Sequence, residues 1–178
     1  MKAKWSIPFL AVLFLVISSP VPAETVKGIS SADVLFAPRG GLIEAVVQEI
    51  DKAGREIVVH SHSFPSYEVA KALAEAQKRG AKVVLLLDRS QKREKESTFY
   101  VLEKAGIQVY IDSDHVVANN NVMIIDKDVV ITGSFNFTKE AEEKNAENML
   151  IVRSSKAAAL FLKNFDRHMA HSMPYRHP

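Results

Sequence analysis

Cysteine is absent from all 178 residues. Thiol catalysis, cysteine–zinc sites and disulfides are therefore excluded. The chain also lacks internal repeats, low-complexity tracts and any Pro- or Gly-rich linker, so nothing divides it into several domains. At 47% hydrophobic and 25% charged it has the composition of an ordinary globular domain, whose stability must come from core burial.

Long apolar runs are missing too, except at the start. Lys2 and Lys4 precede an almost wholly apolar stretch from Ser6 to Ser19, followed by Pro20-Val21-Pro22-Ala23. A charged segment, an apolar segment and small residues before a cleavage point are the marks of a secretory leader. The expectation is a signal peptide over residues 1–23 and a mature domain over 24–178, secreted or periplasmic. The alternative is a retained anchor, although the apolar run is short of the roughly 20 residues of a membrane span. Such an exported chain meets an environment that permits disulfides and uses none.

An excess of positive charge is lacking as well. Of 23 basic residues, Lys2 and Lys4 would leave with the leader, so 21 basic face 21 acidic residues. The global basic footprint of a nucleic-acid binder is absent, and any phosphate-binding surface must be a local patch.

What remains alternates strand and helix signals. Val34-Leu35-Phe36 is a short apolar run, and Leu42, Ile43, Val46, Val47 and Ile50 recur at helical spacing. Glu56 to His60 and Lys82 to Asp88 read as buried strands. Between them Ser66 is placed to cap a helix that Gly80 ends. Phe99, Leu102 and Ala105 form a helix face closed by Gly106, followed by the strand Ile107 to Ile111. Val122 to Ile125 and Val129 to Thr132 pair around Lys127-Asp128. A polar helix from Thr138, a strand from Asn148 to Val152 and a helix from Ser155 to Met169 follow, the last with Leu160, Phe161 and Phe165 inward. The tail from Met173 to Pro178 is expected to fray. Alternation of this kind indicates a single α/β domain with a mixed sheet between helices.

The chemistry-bearing segment is HVVANNNVMIIDKDVVITGSFNFTKEAEEKNAEN, from His115 to Asn148. Its Gly133-Ser134-Phe135-Asn136, preceded by Asp126 and followed by Glu147, resembles the signature of the phospholipase D superfamily: His-x-Lys, four residues, Asp, six residues, Gly-Ser-x-Asn. The spacing is kept without a gap, but Asn119 stands at the histidine position and Asn121 at the lysine position. The flanks His62-Ser63-Phe64-Pro65-Ser66, Lys78-Arg79-Gly80 and Ala105-Gly106-Ile107 also resemble the small secreted bacterial single-motif endonucleases. The likeness covers about Ala32 to Phe165. Gly-Ser-x-Asn alone would be weak; together with Asp126, Glu147 and the flanks it is specific.

The resemblance implies a phospholipase D-like fold and a homodimer whose shared active site lies at the twofold interface. It implies metal-independent phosphodiester hydrolysis of DNA, more than RNA, through a phosphohistidine, with no cofactor and no metal. Asn119 and Asn121 would occupy the nucleophile and phosphate-binding positions. Asp126 and Glu147 would be catalytic-site acids, and Ser134 and Asn136 would bind substrate. A membrane would be a partner only if the leader is retained. Imidazole suits the reaction because it attacks and also donates a proton near neutral pH. A carboxamide nitrogen does neither, and Asn121 supplies no charge. The expected loss of turnover is roughly 10⁴ to 10⁶.

Each residue also has a plainer role. Asp126 and Glu147 could be turn and strand-end residues, and Ser134 and Asn136 turn formers. Their mutual spacing favours a site. His60 and His62, two apart, could suggest metal, but a hydrogen-bonded or exposed imidazole is the simpler expectation. His115 is the least implausible stand-in nucleophile, four residues from Asn119. His168, His171 and His177 are expected to be solvated in the last helix and tail. Lys92, Arg93 and Lys95, interleaved with Glu94 and Glu96, read as a solvated face that with Arg89 could still line a phosphate path. Three functions stay open: a crippled nuclease-like phosphodiesterase, a non-catalytic binder of DNA or another phosphodiester, and, ranked lower, a lipid headgroup hydrolase.

Overall fold

The computed structural model of the chain describes residues 23–63, 65–93 and 97–175. The expected leader up to residue 22, Phe64, Glu94, Lys95 and Glu96 of the charged run, and His177 lie outside the described residues. Among those described, eight strands form one sheet: Ser31–Ala37 (β1), Glu56–Ser61 (β2), Lys82–Asp88 (β3), Gln108–Asp112 (β4), Val122–Ile125 (β5), Val129–Gly133 (β6), Glu147–Arg153 (β7) and Met173–Pro174 (β8). The helices are Leu42–Lys52 (α1), Tyr67–Lys78 (α2), Ser97–Lys104 (α3), Lys139–Glu143 (α4) and Ser155–Met169 (α5), with a 3-10 turn at Arg89–Arg93.

The strand order is β1-β7-β6-β5-β2-β3-β4-β8. β2, β3 and β4 run parallel, linked by α2 and α3, and the remaining neighbours are antiparallel. The sheet is therefore mixed and lies between helices, as expected for this α/β chain. The apolar residues explain why both faces are covered. On β5, Met123 and Ile125 enter the large core beneath α1, α2 and α3, while Val122 and Ile124 enter a smaller core with Ala157 and Ala158 of α5. A strand buried on both faces has no polar alternation to show. Each fully buried Leu, Ile or Val contributes about 1.5–3 kcal/mol.

Local signals set the helix ends. The Ser66 hydroxyl accepts the Val69 amide at 3.3 Å, so it caps α2 as expected. Gly80, at φ +102°, turns the chain out of that helix. α1 is capped from a distance: the Glu142 carboxylate accepts the Gly41 amide at 2.9 Å and the Ile43 amide at 3.0 Å. An anionic group at a helix start is also favoured by the helix dipole.

Two expectations need correction. The tail does not fray from Met173: Met173 and Pro174 pair with Ile111 and Tyr110, and the Tyr175 amide reaches the Val109 carbonyl at 2.8 Å. Backbone hydrogen bonding to the open edge of β4 outweighs terminal entropy there. On α5, Phe165 is buried and Phe161 packs half-buried against the smaller core beside Ala157 and Ala158, as expected, but Leu160 is half-buried and joins neither core.

Glu142→Ala should lower unfolding stability by about 1–2 kcal/mol, because it strips two amides at the start of α1 of their acceptor. Urea denaturation measures this, and an unchanged midpoint would show that the long-range cap contributes nothing.

Candidate functional site

The hairpin β5–β6 brings the motif residues back to one end of the sheet. Asn121 immediately precedes β5, and Gly133 closes β6 two strands' lengths later. Val122 pairs with Thr132, so Ser134 returns beside Asn121. Glycine is required at Gly133, since a Cβ there would lie 2.3 Å from the Asn148 carbonyl oxygen. That close approach lets the Gly-Ser-x-Asn turn sit against β7.

Five of the six candidate residues form a continuous network. The Asn121 side chain is buried, at 3% exposure. Its Nδ2 donates to Asn136 Oδ1 at 2.6 Å, Asn119 Oδ1 at 3.1 Å and the Ser134 carbonyl at 3.4 Å. Its Oδ1 accepts the His62 amide at 3.2 Å. The Ser134 hydroxyl donates to the Glu147 carboxylate and accepts the Asn148 amide at 3.1 Å. Asn119 and Ser134 are exposed, so the site is an open surface floored by Asn121. The loop bearing Asn119 is pinned by buried Asp88, which accepts the Ala118 amide at 2.7 Å. Burial pushes the Asp88 carboxyl up, but hydrogen bonds from Ala118 and Ser90 and nearby His62 hold it below its ordinary value.

Asp126 is the candidate that the structure does not bring to this cluster. It stands at the other end of β5, roughly 17 Å away at the rise of a strand. Its carboxylate accepts the amides of Gly54 at 2.9 Å, Arg55 at 2.8 Å and Glu56 at 2.9 Å. Burial raises its pKa, yet these amides and the Arg55 guanidinium outweigh it and hold the carboxyl below its usual range. Asp126 thus fastens the hairpin to the start of β2.

The histidines divide. His60 and His62 form no pair: His60 Nε2 lies 3.3 Å from Asn120 Nδ2, and His62 Nδ1 lies 3.9 Å from Asp88. Burial, and then neighbouring His168, push the His60 imidazole down to about 4. His168 and His171 are not simply solvated, as the sequence suggested. With His115 they surround the buried carboxylate of Asp112, and these four residues are a group able to hold a metal ion. The histidines three apart at the end of the last helix and in the turn after it, and the Asp-x-x-His at Asp112, were the available signals, but 56 residues separate Asp112 from His168. Arg89 is exposed at the same sheet end as the motif.

This fold and this spacing define a class of phosphodiester-handling domains, and the comparisons agree. The family described as "Cardiolipin synthase, PLD-like domain" matches residues 46–169. A Rickettsia prowazekii protein named phospholipase D is 42% identical over 136 residues, 76% of this chain and 66% of that one. A mouse protein named mitochondrial cardiolipin hydrolase is 36% identical over 105 residues, 59% of this chain and 48% of that one. The crystal structure titled as a phospholipase D family member, Nuc from Salmonella typhimurium, superposes with a TM-score of 0.76 at 32% identity, covering 82% of this chain and 98% of that chain. The chain belongs to the phospholipase D-like family.

Because Asp126 is held in its charged form, it stabilises the fold above the ordinary carboxylate value of about 4, and that contribution is lost as pH falls. Asp126→Asn should cost about 1–3 kcal/mol near neutral pH, with wild type and variant converging in acid. Denaturant melts from pH 7 to pH 3 read the difference; a constant gap would mean that the charge is not what the amides hold.

Proposed function

We propose that this chain is a phosphodiester-binding scaffold of the phospholipase D-like nuclease type, working as a homodimer and severely crippled in chemistry. In this reading the motif end of the sheet engages the phosphodiester of a nucleic acid, DNA before RNA, and does not cleave it at a useful rate. The chain would act outside the cytoplasm, released by its leader. The observation that carries the reading is the hydrogen-bond state of Asn121. Its amide nitrogen faces three oxygen acceptors, the surroundings that suit a cation, yet an uncharged carboxamide fills them.

The rest follows from chemistry. Covalent attack at phosphorus needs a nucleophile with an available lone pair, one that water can later displace, and the Asn119 amide nitrogen has its lone pair delocalised into the carbonyl. Charge developing on the phosphoryl oxygens needs a nearby cation, and stabilisation of that kind is usually a large part of catalysis. Ser134, Asn136 and Glu147 keep hydrogen-bonding capacity for a phosphate and a polar neighbour. In a twofold dimer each chain would repeat both defects, so neither half-site would supply the missing groups.

Lipid phosphodiesters form a second reading, favoured by specific observations. The rickettsial and mammalian relatives carry lipid-hydrolase names. Beside Asn119, Val116 and Val117 are 83% and 53% exposed, an apolar rim suited to acyl chains.

Asn119→His combined with Asn121→Lys should raise cleavage by roughly 10⁴-fold or more, with little gain from either change alone. Asn121 has φ 44°, and the left-handed region disfavours lysine by about 1–2 kcal/mol, so folding of the double variant is checked by its melting curve. The assay uses duplex DNA and phosphatidylcholine vesicles, with chelator, at a temperature where the chain stays folded. Cleavage of DNA supports the first reading, and headgroup release without DNA cleavage supports the second. A folded, dimeric double variant that cleaves neither would overturn the assignment of the two positions. The unaltered chain should bind DNA with an affinity that falls steeply with salt.

A further inference from the structure

We infer that Asp112, His115, His168 and His171 form a binding site for a zinc-class divalent cation that ties the end of α5 and β8 to the end of β4. The inference is independent of the proposed function: these residues are not part of the Asn121 network.

The four ligand atoms lie within 4.8 Å of one another. Asp112, at the end of β4, is fully buried. His168 Nδ1 is 2.7 Å from Asp112 Oδ2, His115 Nδ1 is 3.0 Å from the same oxygen, and His171 Nε2 is 3.3 Å from Oδ1. Zinc–ligand bonds of about 2.0–2.1 Å place the ligand atoms of a tetrahedron about 3.3–3.4 Å apart. The widest pair needs to close by about 1.4 Å on that geometry. His115 and His171, at 45% and 29% side-chain exposure, have the freedom to make that adjustment, while His168 at 15% is the fixed member.

Two details point to a ion rather than to a carboxylate that merely collects hydrogen bonds. His171 Nε2 is buried and makes no hydrogen bond, because its 3.3 Å approach to Asp112 is out of alignment. A buried imidazole nitrogen beside the carboxylate is thus left without a partner. The other ring nitrogen, Nδ1, faces Asp114 at 4.0 Å. A carboxylate behind the outer nitrogen of an imidazole is the arrangement that orients metal-bound histidine.

The donor set decides the class of ion. Three imidazoles and one carboxylate suit zinc and its borderline neighbours, whereas magnesium and calcium prefer oxygen ligands. Four protein ligands make a closed site, which is structural. On binding, the ion displaces the protons from the inner imidazole nitrogens, so that each ring is left neutral with its single proton on the outer nitrogen, reached by exchange with solvent, and any second proton is released to water. No redox step or co-reactant is involved. The mechanical effect is local: His168 ends α5, His171 lies in the turn after it, and β8 immediately follows.

The test uses untagged full-length protein, stripped with chelator, dialysed and titrated with ZnCl2. The expected result is one zinc per chain and a higher melting temperature, with Co²⁺ in its place giving the visible bands of a tetrahedral ion. His171→Gln and His115→Gln, both at accessible positions, should each weaken zinc binding at least tenfold and remove the melting shift, while His62→Gln keeps both. Failure to bind zinc at micromolar concentration overturns the inference. So does stoichiometric binding that survives both His171→Gln and His115→Gln in chains that still melt cooperatively.

Discussion

The pairing of β5 against β2 is the constraint on which the site depends. Both ends of β5 are fastened to β2 by a side chain from just outside the strand. At one end Asp126 accepts three amides at the start of β2. At the other, Asn121 accepts the His62 amide just beyond its end. Between them the register runs from Ile57 opposite Ile125 to His60 opposite Val122. A slip of one residue would exchange the two cores that β5 serves and break both clamps. The motif's spacing now has a mechanical meaning. The four residues between Asn121 and Asp126 are the length of β5, and the six before Gly133 are the turn and most of the return strand. Asp126 sets where the hairpin lies, at the end of β5 away from the Asn121 network.

Legibility in the sequence followed the range of the interactions involved. The hairpin, the Ser66 cap and the span of α5 were readable because each is decided by residues a few positions apart. Asn119, Asn121, Ser134, Asn136 and Glu147 could be grouped through a spaced motif, and the structure brings them together. Asp126 could not be separated from them by spacing alone, since strand length puts it at the opposite end. The pairing of β8 with β4 was hidden because a two-residue strand has no periodicity to detect. The Asp112 cluster was hidden for a different reason: its members come from a strand, a loop and a helix end, and only the sheet order brings them together.

The two polar centres stand at the same end of the sheet but solve opposite electrostatic problems. Around Asn121 the protein offers acceptors to a donor that carries no charge. The buried amide is satisfied, so its retention carries little desolvation penalty. Around Asp112 it offers donors to a buried anion. Burial raises the Asp112 carboxyl, and hydrogen bonds from His168, His115 and the Asp114 amide, with the nearby His171 ring, overcome that and hold it far below its ordinary value. His60 touches this second centre through His168, with ring centroids 4.8 Å apart, and Asn120 through its own ring nitrogen. The segment 119–121 therefore has one face in the motif network and the other against the histidines.

That division bears on how the fold accommodates carboxamides at positions 119 and 121. A lysine at position 121 would bring an ammonium that strongly prefers acceptors, and Asn119, Asn136 and the Ser134 carbonyl supply them. The positive φ of Asn121 is one that asparagine tolerates better than other side chains. Asparagine at 121 thus avoids the backbone strain that lysine would carry at this φ. Whatever residue 121 carries, β5 is held by Asp126 at its far end and by the ladder to β2 along its length; only the clamp to the His62 amide is Asn121's own. The charge carried at position 121 and the placement of the hairpin are thus largely separable properties of this site.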